Sequence, residues 1–202
     1  MYAPDLLGRP PAYECEIELP GGDSISFEEF DPAARACGAS TERQTYVFGP
    51  AASVLATAAG LPADHAWVIR VCAALDRERA APGYCGWRRT QLVVKPGAGH
   101  VLHVTAAANR DSIRRHGLDW SRMSAAAGIA GSQKPELPAV FVCDDRFGAS
   151  FFLQMARAPS DVWEVRVDGL WLESGPSGWW IIPHPVGPDR LRLAEQDVPA
   201  GR

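Results

Sequence analysis

Apolar and polar positions alternate differently along the two halves of the chain. Tyr13 to Leu19 alternates with a period of two, as a half-buried strand does. A helical period is predicted next. Ser26 followed three residues later by Glu29 reads as a capping box, and Phe27, Phe30 and Ala34 follow on one face. Pro50 opens an alanine-rich stretch to Ala59 that Gly60 and Pro62 close, which is how the two ends of a helix differ. A second helix is predicted over Asp64 to Ala80. It buries Trp67, Val68, Val71, Cys72 and Leu75 and exposes Asp76, Arg77, Glu78 and Arg79. Pro82 and Gly83 end it, and Trp87 to Lys95 reads as a strand through Leu92, Val93 and Val94.

The Pro96-Gly97-Ala98-Gly99 segment reads as a linker or hairpin. Beyond it strand-like runs dominate: Val101 to Thr105, Val140 to Cys143, Val162 to Val167 and Trp179 to Ile182. Asn109 to His116 reads as a helix ended by Gly117, and Phe147 to Met155 as another. The expected fold class is α+β, with a mainly helical N-terminal region over residues 1–97 and a small, mostly β domain over residues 98–202. The division rests on pattern alone, since charge is balanced similarly on either side.

Composition narrows the class. With 202 residues, 47% of them apolar and 22% charged, the chain is too apolar for disorder and long enough for one domain or two small ones. Its 20 Lys and Arg against 24 Asp and Glu give no global basic field to gather nucleic acid. Seven Trp, 19 Gly and 17 Pro favour short elements and many turns over a bundle of long helices. No apolar run approaches the length of a membrane span. Met1 to Pro11 contains Asp5 and Gly8 where a secretory signal needs a basic start and an apolar run, so a cytoplasmic location is expected, with no membrane partner. Cys15, Cys37, Cys72, Cys85 and Cys143 form no CxxC, and the five His form no HExxH, so neither a metal nor a disulfide framework is expected. GxGxxG, GxxxxGK[ST] and GxSxG are absent as well.

The candidate chemistry starts at Leu102-His103-Val104-Thr105. On a strand His103 and Thr105 project to the same face, and an imidazole beside a hydroxyl can hold neighbouring hydroxyls of a ribose. A helix ending in Arg114-Arg115-His116-Gly117-Leu118 follows, and later Gly178-Trp179-Trp180-Ile181-Ile182-Pro183. In this order the segments resemble the ADP-ribosyltransferase superfamily, including RNA 2'-phosphotransferases and DNA-targeting ADP-ribosyltransferase toxins, in which a strand carrying His-x-Thr precedes a helix ending in Gly-Leu. The resemblance spans roughly Val101 to Leu193 and implies a small split-β-sheet domain that binds NAD in a cleft between two sheets.

That resemblance implies NAD as substrate, with His103, Thr105, Gly117 and Leu118 around it and Trp120 or Phe141 stacking on the nicotinamide. The implied activity is NAD-dependent ADP-ribosyl transfer to an acceptor that is a protein, nucleic acid or small molecule. Cleavage of the nicotinamide bond develops positive charge on the ribose, which an anion stabilises. The family's Glu would fall at Gly178 or Trp179, neither of which carries charge. Glu173, reaching in from a loop, is the catalytic candidate beside His103, and Glu164 is a poorer one. Two alternatives stay open. One is an RNA 2'-phosphotransferase-like enzyme, which needs no such Glu and would orient phosphate with Arg114, Arg115, Arg122 or Arg146, although the N-terminal Arg-His signature is absent and Arg88-Arg89 is only a faint echo. The other is a noncatalytic binding module presenting Trp171, Trp179 and Trp180 to a partner. A Cys143 nucleophile paired with His103 or His184 is disfavoured, because a strand Cys is ordinarily a small core residue.

Overall fold

The computed structural model describes residues 13–31, 35–40, 45–80, 91–125, 137–175 and 179–200. Ala34, Pro82, Gly83, Cys85, Trp87, Arg88, Arg89 and Gly178, together with the segment from Met1 to Pro11, lie outside the described residues. The chain divides into two compact units, Met1–Lys95 and Pro96–Arg202.

The first unit is built on strands, which corrects the expectation of a mainly helical N-terminal region. β1 (Tyr13–Glu18), β2 (Ser24–Asp31), β3 (Arg35–Ser40), β4 (Thr45–Gly49) and β5 (Gln91–Leu92) form a sheet in the order β4-β3-β2-β1-β5. The helix expected from Ser26 is β2. Its pairing explains why: Ile25 stands opposite Ile17 and Phe27 opposite Cys15, all four buried on one face, while Ser24 and Ser26 alternate onto the other. A capping box contributes on the order of 1 kcal/mol, and β2 gains a ladder on both sides together with that buried row.

Two helices do form where the pattern places them. α1 (Ala51–Ala59) buries Val54, Leu55 and Ala56 and ends at Gly60, whose φ of 66° lets its N–H reach back to Ala56 and Thr57. α1 lies close over β3 because Gly38 has no side chain: a Cβ there would stand 2.7 Å from Val54 Cγ1. α2 (Ala66–Ala80) buries Trp67, Val68, Val71, Ala74 and Leu75, leaving Cys72 half-buried. Glu78, expected to be exposed, is half-buried and accepts a hydrogen bond of 2.6 Å from the Tyr13 hydroxyl. Burial, with Cys15 and Glu78 adding to it, raises the Tyr13 phenol far above its ordinary range.

The second unit carries two small sheets. The chain passes from the first unit to the second within β6 (Val94–Pro96), and in the second unit β8 (Val140–Val142), β10 (Trp171–Ser174) and β11 (Trp180–Ile182) form one sheet in the order β10-β11-β8. β7 (His100–Ala106), β9 (Ser160–Arg166) and β12 (Leu191–Val198) form the other, in the order β12-β9-β7. A two-way backbone bridge between Leu102 and Cys143 joins β7 to the residue that follows β8. α3 (Arg110–His116) contributes Ile113 to a core of Val101, Val140, Val142, Trp163, Val165 and Ile182. α4 (Arg146–Met155) starts at Asp145, whose side chain accepts from the Gly148 N–H at 2.8 Å.

Candidate functional site around His103

His103 sits mid-strand in β7, opposite Trp163, and Thr105 sits opposite Asp161. The His103 Nδ1 lies 2.8 Å from the carbonyl oxygen of Phe141, on a strand of the other sheet. A carbonyl can only accept, so Nδ1 carries the proton. Burial lowers the imidazole pKa and outweighs the carbonyl bond, which raises it. The ring is therefore neutral at physiological pH, and Nε2 is left as a hydrogen-bond acceptor.

Thr105 is 9% exposed, and its hydroxyl accepts from Asn109 Nδ2 at 2.9 Å. Beside it the Arg110 guanidinium makes a two-pronged contact with Asp161, Nε to Oδ2 and Nη2 to Oδ1, both at 2.7 Å, and also reaches Asp197 Oδ1 at 2.6 Å. Asp161 is fully buried, so this fork pins the start of α3 to β9 and fixes the strand on which Thr105 pairs. Neither Asn109 nor the Arg110–Asp161 pair figures among the expected site residues. An Asp one position away from a run of Val and Trp was the available signal, since a charge on a buried strand needs a partner.

Phe141 is half-buried, and it is in register with Ile181, which is in register with Glu173. Side chains of in-register residues share a face, so Glu173 and Phe141 stand on the same side of the sheet, two strand spacings or about 10 Å apart. Glu173 lies within β10 and is 2% exposed, where a residue reaching in from a loop was expected. Of the residues singled out from sequence, His103 meets the main-chain carbonyl of Phe141, and Glu173 shares the Phe141 row.

Gly117 and Leu118 are engaged elsewhere. Gly117 has φ of 78° and ψ of −164°, and a Cβ there would meet the Val186 carbonyl oxygen at 2.0 Å. Leu118 then pairs with Val186 through two backbone hydrogen bonds. Trp120 opens a short 3-10 turn and packs half-buried against the core. Three of the arginines considered for phosphate recognition have local carboxylate partners: Arg114 with Asp111, Arg122 with Asp119 and Arg146 with Glu195. Glu164 is likewise held by Arg192.

The Cys143 thiol is pushed up to about 11 by burial, with Asp145 and Asp144 adding to it, and it points at the Leu102 carbonyl at 3.4 Å. A thiol so placed is no nucleophile at neutral pH. Among the described residues no group of three His, Cys, Asp or Glu is placed to hold a metal ion, and no helix is long and apolar enough to cross a membrane. Compared with known proteins, the chain matches no family model and no curated sequence.

Proposed function

We propose that residues 96–202 bind NAD and transfer its ADP-ribosyl group to an acceptor, as the resemblance to ADP-ribosyltransferases implies. The observation that carries this reading is the contact between His103 and Phe141. It fixes, through the Phe141 main-chain carbonyl, a neutral imidazole whose remaining acceptor nitrogen suits a ribose hydroxyl. In the reaction the bond from the ribose anomeric carbon to nicotinamide breaks, nicotinamide leaves with the electron pair, and an acceptor oxygen or nitrogen bonds to that carbon and gives up its proton. Glu173, on the Phe141 row, is the carboxylate assigned in this reading to stabilise the positive charge on the sugar.

The burial of Glu173 favours a second reading, in which the unit holds a nucleotide without turning it over. Calorimetric titration with NAD, repeated on His103→Ala while nicotinamide release is followed, tests both. Binding that depends on His103 and releases nicotinamide supports transfer. His103-dependent binding without release supports the noncatalytic module, and absence of binding removes the NAD reading.

A further inference from the structure

We propose that the first unit self-associates through β4, two copies pairing antiparallel about a two-fold axis at Val47. β4 is an outer strand of its sheet: among the described residues it pairs with β3 on one side and with no strand on the other. Such an edge presents a row of backbone N–H and C=O groups, and proteins ordinarily guard it with charge, proline or a bulge. Thr45-Tyr46-Val47-Phe48-Gly49 contains no charge and no proline, and its register with β3 is unbroken from Thr45 to Gly49. Tyr46 and Phe48, two residues apart and so on one face, are 48% and 62% exposed.

The sequence of the strand selects a second copy over an unrelated peptide. With the axis at Val47, all five residues pair, and Tyr46 of each copy falls opposite Phe48 of the other. Two aromatic cross-strand pairs then form from side chains that are exposed in the single chain. Because the strand is uncharged, no like charges meet at the seam. Pro50 follows directly and, having no N–H, ends the pairing there.

Sedimentation velocity of the full chain across two decades of concentration tests this. The wild type should shift from monomer to dimer as concentration rises. Tyr46→Lys and Phe48→Lys should each weaken the dimer by about tenfold or more, since either change removes both aromatic pairs and places a lysine from each copy at the seam. Phe48→Tyr should keep the dimer. Both lysine variants alter exposed side chains, so an unchanged thermal melt confirms that they fold. A wild type that is monomeric throughout, or a dimer that survives Phe48→Lys, overturns the proposal.

Discussion

The imidazole of His103 and the carbonyl of Phe141 meet at 2.8 Å, and this bond crosses from one sheet of the second unit to the other. Because burial lowers the His103 pKa, the unfolded chain takes up this proton first as pH falls. Stability should therefore be full above about pH 7 and decline as pH drops below the unfolded value of about 6.5. Thermal melts at a series of pH values should show a shallower decline for His103→Gln than for the wild type. Equal slopes would mean that the imidazole does not titrate differently on folding.

Asp161 and Asp197 share Arg110 unequally. Asp161 is fully buried and takes both prongs of the guanidinium, while the Asp197 side chain is 55% exposed. Asp161→Ala should lower the melting temperature well beyond Asp197→Ala, because it leaves the guanidinium with the exposed Asp197 alone and removes the acceptor for the Asp197 N–H. The Arg110 bond holds the Asp197 carboxyl below the usual carboxylate range. Its contribution is present above about pH 4 and fades below, so the difference between wild type and Asp197→Ala should shrink in acid.

Trp67 and Trp163 make a matched pair for urea unfolding. They are 2% and 3% exposed, but Trp67 Nε1 donates to the Val94 carbonyl at 3.1 Å, whereas Trp163 Nε1 is buried with no hydrogen-bond partner among the described residues. Changing Trp67 to Phe takes a hydrogen bond from the Val94 carbonyl, while the same change at Trp163 removes an unsatisfied donor. Trp67→Phe should cost about 1–3 kcal/mol more than Trp163→Phe. The reverse order would show that Trp163 Nε1 has a partner in solution.

Gly117→Ala should destabilise the second unit. The backbone conformation alone costs an L-residue about 1–3 kcal/mol, and the added methyl would overlap the Val186 carbonyl. Hydrogen exchange at the Leu118 and Val186 amides, which bond to each other's carbonyls, should rise more than exchange in β9.

Periodicity located most elements of the second unit because their signals are local. Val101 to Thr105, Val140 to Cys143 and Val162 to Val167 fall on β7, β8 and β9, and Phe147 to Met155 falls within α4. β10 and β12 were harder to read: Trp171-Leu172-Glu173-Ser174 is short and carries a buried acid, and β12 alternates between exposed and half-buried positions. In the first unit the Ser26 to Glu29 signature spoke for a helix, and only the facing strands, distant in sequence, decide otherwise. The site divides in the same way. The placement of His103 and Thr105 on one strand was legible from two-residue spacing, but the bond from His103 to the Phe141 carbonyl and the pairing of Arg110 with Asp161 join residues 38 and 51 positions apart, which no local pattern records.

The pairing of β12 with β9 and of Arg110 with Asp197 also sets an order of events during synthesis. α3 leaves the ribosome 87 residues before the second carboxylate that its Arg110 will bind. Until then β9 has β7 on one side and an open edge on the other, so the nascent unit must hold Val162, Trp163 and Val165 out of aggregation until its last strand arrives.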